Sequence, residues 1–63
     1  MIIQDYEIKN YPALGVLIEV YSNIGKIYIP KNEFLSYMKY DSDFLLYTSS
    51  DLIINDLNKY FNQ

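Results

Sequence analysis

The side chains that come closest to metal-binding spacing are Asp41 and Asp43, which flank a serine. A calcium-binding loop beginning at Asp41 would need an oxygen ligand at its fifth position and a glycine at its sixth. Leucines occupy both of these positions, Leu45 and Leu46. Aspartate and serine are also typical turn residues, so the pattern predicts a solvated turn that follows a helix. We therefore expect no bound metal.

A second pair of carboxylates, Asp5 and Glu7, shares one face of a predicted strand, which raises the question of paired-carboxylate catalysis. Such a pair needs a concave site, and a chain of 63 residues has too small a core to enclose one. The chain has no histidine and no cysteine, so its serines lack the usual general base and no thiolate or zinc site can form. Gly15 and Gly25 stand alone, so there is no glycine-rich phosphate loop. We expect a protein that is not an enzyme and that holds no cofactor.

Tyrosine is in excess, with eight residues against three phenylalanines and no tryptophan. An AT-rich gene would raise tyrosine, asparagine, isoleucine and lysine together, but the chain has only five lysines, so codon usage explains only part of the excess. Tyr6 and Tyr60 fall on predicted inner faces, with their hydroxyls at the edge of the core. Exposed tyrosine provides rigid contact area at low entropic cost and is enriched at binding hot spots. Tyrosines and nearby acidic or apolar residues therefore predict a protein-binding surface, made of Asp5, Glu7, Leu17, Glu19, Tyr21 and Tyr28 on the sheet and of Tyr37, Tyr40, Asp41 and Asp43 along and after the first helix.

The charge balance argues against nucleic acid and membranes as direct partners. The formal net charge is -3 and the isoelectric point about 4.5, so anionic polymers and anionic membranes are repelled. All five cations are lysines, and only Lys26 is predicted on the sheet face that carries the tyrosines. The N-terminal residues lack the basic region and cleavage site of a signal peptide, and no apolar run approaches the ~20 residues that span a bilayer. These features predict a cytoplasmic protein.

The length of the sequence predicts one domain over residues 1–63, because so few residues cannot form a second hydrophobic core. Residues 2–8 alternate between apolar and polar, which predicts a strand with Tyr6 on its inner face and Ile3 on its outer face. We expect this strand to break at residues 10–12. Residues 14–21 and 26–30, rich in β-branched and aromatic types, predict two further strands.

The hydrophobic pattern selects the register of the second predicted hairpin. A four-residue loop ending at Gly25 pairs Tyr21 with Lys26 and Glu19 with Tyr28, and it gathers the apolar residues on one face. A three-residue loop would instead mix polar and apolar residues on both faces, so we expect the first arrangement.

The same rule, extended through a loop at residues 9–13, predicts the pairing of the first hairpin. It places Tyr6 opposite Val16 and Asp5 opposite Leu17.

After residue 30 the periodicity becomes helical. Asn32 can cap a helix that turns Phe34, Leu35 and Met38 inward. Residues 44–48 predict either a buried strand or a piece of helix, and we favour the strand. Residues 48–51 match a capping box for a last helix over roughly 49–62. This helix is expected to turn Ile53, Ile54, Leu57, Tyr60 and Phe61 inward, and Asn55, Asn58, Lys59 and Asn62 outward.

The predicted fold is α+β, a small three- to four-stranded antiparallel sheet in the order β-β-β-α-β-α, with two helices packed on its apolar face. The predicted function is a small acidic, tyrosine-rich protein-interaction module. It would bind, and inhibit or sequester, a larger intracellular protein that handles nucleic acid and has a basic surface. Anti-defence inhibitors of phages and mobile elements, immunity proteins and antitoxins share this size and charge, which is an analogy.

Two alternatives stay open. The first is a structural homo-oligomer that assembles through its outer sheet face or a strand edge, for which Leu17 and Ile3 on the outer face argue. The second is a nucleic-acid binder, against which the scarcity of lysines beside the tyrosines argues.

Overall fold

The computed structural model describes residues 1–63 as a three-stranded antiparallel sheet followed by three helices. The strands follow one another in the sheet as they do in the chain, and the helices pack on one face. The α+β prediction is confirmed, with three strands rather than four. The elements are β1 (Ile3–Tyr11), β2 (Gly15–Ser22), β3 (Gly25–Pro30), α1 (Lys31–Met38), α2 (Phe44–Tyr47) and α3 (Ser50–Phe61).

The segment expected to form a fourth strand is instead the single helical turn α2, so that prediction is wrong. The Asp41 side chain accepts a hydrogen bond from the Asp43 N–H at 2.9 Å, and the Leu46 N–H donates to the Asp43 carbonyl at 2.9 Å. These local bonds satisfy the backbone without a neighbouring strand. Phe44 then stacks on Tyr40 with ring centroids 3.8 Å apart, which attaches α2 to the core.

The second hairpin has the predicted register. Tyr21 lies opposite Lys26 and Glu19 opposite Tyr28. Gly25 adopts a φ of 131°, a conformation that residues with a Cβ rarely adopt, and the Ser22 hydroxyl donates to its carbonyl at 2.8 Å. Burial of the apolar face therefore selects this register, as the pattern indicated.

The first hairpin has a different register from the predicted one. Tyr6 lies opposite Val20 rather than Val16, and Asp5 lies opposite Tyr21, so each pairing is displaced by four residues along β2. A displacement by an even number keeps every side chain on its face, which is why the hydrophobic pattern did not distinguish the two registers.

The displacement follows from the length of β1, which continues through the expected break as far as Tyr11. Three residues, 12–14, then connect the strands, and the Leu14 N–H donates to the Tyr11 carbonyl at 3.1 Å. Gly15 closes this loop with a φ of 84°, as three-residue hairpin loops require.

An irregularity between Ile3 and Asp5 turns Ile3 into the core, so its predicted place on the outer face is wrong. The reason is a bulge, which reverses the alternation of the strand before it. Asn58 of α3, expected to face solvent, holds this end of β1: its side chain accepts a bond from the Ile3 N–H at 2.8 Å and donates to the Ile3 carbonyl at 3.1 Å.

The helices cover the apolar face of the sheet. The predicted inner stripe of α1 is found, since Phe34 and Leu35 are buried and Met38 packs against them. The helix starts sooner than expected, at Lys31, and no side chain caps it. None of the helices is long and apolar enough to cross a membrane. The fully buried core side chains are Ile18, Val20, Ile29, Phe34, Ile53 and Leu57.

The last helix also follows its predicted pattern, although no side-chain bond of a capping box forms at its start. Ile53 and Leu57 are buried, and Ile54, Tyr60 and Phe61 pack around them. Tyr6 and Tyr60 lie at the edge of the core as expected, with hydroxyls bonded to Ser50 at 3.2 Å and to Glu33 at 3.0 Å. The sheet therefore has one covered face and one uncovered face.

Candidate protein-binding face

The uncovered face of the sheet, called here the outer face, carries six of the ten residues predicted to bind a partner. Strand alternation places them there, because Ile18 and Val20 on either side of Glu19 point into the core. No helix packs on this side. The residues of the outer face are Asp5, Glu7, Lys9 and Tyr11 of β1, Leu17, Glu19 and Tyr21 of β2, and Lys26 and Tyr28 of β3.

Glu19 lies at the centre of the outer face and is only 5% exposed, which is unusual for a carboxylate on an uncovered face. Tyr21, two residues further along β2, and Lys26 on β3 contact its carboxylate. The Tyr21 hydroxyl donates a hydrogen bond to Glu19 Oε1, and the Lys26 ammonium lies 3.4 Å from the same oxygen. The charge of Glu19 is thus compensated within the chain, and this residue is not a free anion for a partner.

The same contacts change the acidity of all three groups. The hydrogen bond from Tyr21, helped by Lys26, lowers the pKa of Glu19, although burial opposes this change. Bonding to Glu19 and burial raise the pKa of the Tyr21 phenol to about 12, and the bond to Glu19 raises the pKa of Lys26. All three groups therefore keep their charge states across the neutral range.

This network predicts that Tyr21 loses its proton at a higher pH than an ordinary tyrosine. We expect Tyr21 to lose its proton near pH 12, as measured by the ¹³C shift of its Cζ atom, and Glu19→Gln to lower the pKa of Tyr21 toward 10. Because the pKa is raised in the folded state, the stabilisation it reflects is complete below pH 10 and is lost as the pH rises to about 12.

A matched control for this titration is Glu33→Gln. Glu33 accepts a bond from Tyr60, whose pKa is raised by burial and by that bond. Glu33→Gln is expected to lower the pKa of Tyr60 and to leave the pKa of Tyr21 unchanged. If Glu19→Gln left the titration of Tyr21 as it was, the network would not exist in solution.

The second ion pair of the outer face joins Glu7 and Lys9, whose charged atoms lie 3.0 Å apart. The bond to Glu7 raises the pKa of Lys9. The sequence predicted Lys26 as the only lysine on this face. Lys9 lies here as well, because it belongs to β1 and not to a loop. Asp5 bonds the Tyr6 N–H at 2.8 Å and has no lysine partner. The outer face has three carboxylates and two lysines, so its surplus is one negative charge.

A groove of about 410 Å³ lies at the end of the outer face where the loop of residues 12–14 joins β1 to β2. It is lined by Tyr11, Leu14, Leu17 and Tyr28. All four are apolar or aromatic, and Leu14 is 71% exposed. Gly15 pairs with Tyr11, and nothing lies within 4 Å of where its Cβ would be, so the sheet surface beside Tyr11 is open. This groove is the concave apolar feature of the face.

The sequence prediction missed Tyr11 because it ended the first strand before this residue. It missed Leu14 because it placed this residue on the apolar face of the second strand, whereas Leu14 lies in the loop before β2 and is exposed. The signal that would have included them is the spacing of Tyr11 and Gly15 around a three-residue loop, which is typical of a hairpin.

The other four predicted residues, Tyr37, Tyr40, Asp41 and Asp43, lie apart from the outer face, along and after α1 as the sequence placed them. They belong to the helical layer, on the opposite side of the sheet. Tyr40 is half-buried and donates a bond of 2.7 Å to the buried Asp56, so it is a core residue. Asp41 accepts bonds from the Asp43 N–H and from the Tyr47 hydroxyl, the latter at 3.2 Å. These carboxylates build a turn.

Tyr37 is the most exposed of the tyrosines expected along α1. Its ring packs edge-on to Tyr60 at 4.9 Å, and its hydroxyl bonds Gln63, so it covers the end of α3. The ten predicted residues therefore divide into a contiguous set on the sheet and a separate set with local structural contacts, because helices and strands of this fold occupy different sides of the sheet.

The arrangement defines the class of the protein as a small α+β domain with one uncovered sheet face that carries an apolar groove and internally paired charges. No group of three or more carboxylates lies in a geometry that could hold a metal ion. Comparison with protein-family models, with curated proteins and with solved structures finds no match to this chain. The function is therefore inferred from this face.

Proposed function

We propose that this chain is a small acidic protein-interaction module that binds a larger protein through its outer face and thereby inhibits or sequesters it. The observation that carries the proposal is the groove of Tyr11, Leu14, Leu17 and Tyr28. The uncovered face of an antiparallel sheet is normally polar, so adjoining apolar side chains there are typical of a contact surface.

The groove suits an apolar side chain of the partner as its anchor. Its volume of about 410 Å³ lies within the range of about 300–1,000 Å³ that is usual for binding pockets. Tyr28 lies directly opposite Glu19 in the β2–β3 pair, beside the network of Glu19, Tyr21 and Lys26. Tyr11 and Tyr28 have only two side-chain torsions each, so they lose little conformational entropy on binding.

The partner in this proposal is a protein with a basic surface, such as one that handles nucleic acid. The outer face itself contributes only a small surplus of negative charge, so most of the affinity comes from the groove. The net charge of -3 acts at longer range by attracting a basic partner and speeding association. A chain without cysteine suits the reducing cytoplasm, where we place its action.

The test uses the double variant Leu14→Ala with Tyr28→Ala. Both side chains are exposed, so we expect the fold to persist and binding to weaken about a hundredfold, as loss of two anchor residues does. The tagged chain is used to capture proteins from the lysate of its source organism, and the affinity of a captured protein is then measured for each variant.

The matched control is Leu46→Ala, which removes an apolar side chain that is 84% exposed in the helical layer. It should bind like the unchanged chain. A folded Leu14→Ala, Tyr28→Ala variant that binds the captured protein with unchanged affinity would contradict the proposal for this face.

A second candidate function is a structural homo-oligomer. One of its two original arguments fails, since Ile3 is buried within the chain. A different observation favours it, namely the long edge of β1, which no other strand of the chain covers.

A further inference from the structure

The edge of β1 that does not pair with β2 is the longest unpaired edge of the sheet. β1 has nine residues and a single neighbour, β2, whereas the other edge strand, β3, has six residues and ends in a proline. An open strand edge presents unpaired backbone groups to another strand, and natural proteins usually shorten, charge or cover it.

Contacts at its two ends limit the open part of this edge. At the first end the Asn58 side chain bonds both the N–H and the carbonyl of Ile3. At the other end β1 turns into the hairpin loop after Tyr11. The stretch left open runs from residue 5 to residue 11, and Ile8 is its central residue.

The backbone groups of alternate residues point away from β2. The Tyr6 N–H bonds the Asp5 side chain and not β2, so the groups of Tyr6 point outward. In an antiparallel pair the direction alternates, and the groups of Ile8 and Asn10 therefore point outward as well. These three residues can form a ladder with a further strand, in which the Tyr6 N–H exchanges the Asp5 side chain for a carbonyl of that strand.

Ile8 also leaves apolar surface at this edge. Its partner on β2, Ile18, is fully buried, whereas Ile8 on the same face is 44% exposed. α3 holds β1 at Ile3 through Asn58 and at Tyr6 through Ser50, but it leaves the side chain of Ile8 partly uncovered. A strand added along this edge would bring its own side chains against Ile8.

We propose that a second copy of this chain docks here, with the two β1 strands antiparallel about a two-fold axis at Ile8. This pairing uses the whole open stretch. It places Ile8 against Ile8, Tyr6 opposite Asn10, Glu7 opposite Lys9 and Asp5 opposite Tyr11. The residues with outward backbone groups then face one another, as a hydrogen-bonded ladder needs.

The charges of β1 select this register over its neighbours. Glu7 and Lys9 already pair within each chain at 3.0 Å, and in the pairing about Ile8 each Glu7 also lies opposite the Lys9 of the other copy, so opposite charges alternate across the junction. Moving the axis by one residue places Glu7 opposite Glu7 or Lys9 opposite Lys9. Like charges directly opposite each other destabilise a strand pair. The sequence Glu7-Ile8-Lys9 is therefore self-complementary about its centre.

The resulting dimer has one continuous six-stranded sheet, since three strands come from each copy. The two-fold axis is perpendicular to the plane of the sheet, so the outer faces of the two copies lie on the same side of the dimer. The two grooves would then act as a bivalent surface. This inference rests on the second candidate function above and is independent of the proposed binding of another protein.

The experiment is a charge exchange followed by sedimentation equilibrium over a concentration series. We expect the unchanged chain to form a dimer, and Glu7→Lys or Lys9→Glu alone to weaken it about tenfold, since each creates two like-charged pairs. The double variant Glu7→Lys with Lys9→Glu restores opposite charges and should restore the dimer. The variant Leu14→Ala with Tyr28→Ala should dimerise normally.

A second variant tests the backbone ladder. Ile8→Pro removes an N–H that points away from β2, which an edge strand tolerates, and it should abolish the dimer while the circular dichroism spectrum stays that of the folded chain. A chain that stays monomeric up to millimolar concentration overturns both this inference and the second candidate function. A dimer that is indifferent to the charge exchange and to Ile8→Pro overturns the edge pairing alone. If Ile8→Pro does not fold, the charge exchange decides.

Discussion

Replacing Leu57 by alanine is expected to lower the free energy of unfolding by about 2–5 kcal/mol, as measured by urea denaturation. Leu57 is fully buried in α3 and belongs to the cluster that joins this helix to the sheet. The substitution removes apolar surface from the core and leaves a cavity that the surrounding side chains fill only in part. A domain of 63 residues is stable by about 3–9 kcal/mol, so the variant should lose a large share of its stability and unfold at a much lower urea concentration.

The same helix provides the control. Leu52→Ala makes the identical change at a position that is 58% exposed, and we expect it to alter the free energy of unfolding by less than about 0.5 kcal/mol. Equal losses at the two positions would mean that α3 does not pack with the face described here. The comparison removes helix propensity as an explanation, because both variants place alanine within α3.

Tyr40→Phe is expected to cost about 1–3 kcal/mol of stability, a large effect for the loss of a single oxygen atom. The Tyr40 hydroxyl donates to Asp56 Oδ2 at 2.7 Å, and Asp56 is only 9% exposed. Without the phenol, the carboxylate of Asp56 stays buried and loses its hydrogen-bond donor. A buried polar group without a partner destabilises the folded state by the free energy of its lost hydration. The pKa of Tyr40 is raised by this bond and by burial.

Tyr47→Phe is the matched control for Tyr40→Phe. The Tyr47 hydroxyl also bonds an aspartate, Asp41, at 3.2 Å, but both residues are exposed and water can replace the bond. We expect a change of less than about 0.5 kcal/mol. If the two variants lost the same stability, burial of Asp56 would not be the cause. Restoring the loss by adding Asp56→Leu to Tyr40→Phe would show that the unpaired carboxylate was responsible.

The two surfaces proposed here use different residues. The groove lies on the outer face at the hairpin end, and the docking edge is the open backbone of β1 from residue 5 to residue 11. Tyr11 is common to both, since it lines the groove and faces Asp5 of a second copy in the proposed pairing. Binding measurements should therefore compare the dimer with the Ile8→Pro variant, because a bivalent surface binds a multivalent partner more tightly than a single one.

Local patterns were sufficient for much of this fold. Alternation along β2 and β3 determined their faces and, through them, the register of the second hairpin, because a slip by one residue would expose the whole apolar set. The spacing of Phe34, Leu35 and Met38, and of Ile53 and Leu57, determined which sides of α1 and α3 are buried. These features depend on neighbours within one turn or one strand, which a sequence displays directly.

The candidate site was predictable only in part, for reasons visible in single residues. The pattern predicted that Glu19 lies on the outer face, but it did not predict that Glu19 is buried there. The contacts with Tyr21 on β2 and Lys26 on β3 accompany this burial. It also grouped Tyr40 with the exposed tyrosines, because the bond to Asp56 joins residues 16 positions apart and leaves no periodic signal.

What the sequence by itself determined is the side on which most strand and helix residues lie, since that follows from the periods of 2 and 3.6, and Ile3 is an exception because a bulge interrupts the alternation of β1. Only the tertiary structure decided the register of the first hairpin, the helical form of residues 44–47, and the contact of Asn58 with Ile3. An even displacement of a strand, a short apolar run and a distant hydrogen bond all leave the local pattern unchanged. Their outcome depends on which contacts the whole chain can satisfy at once.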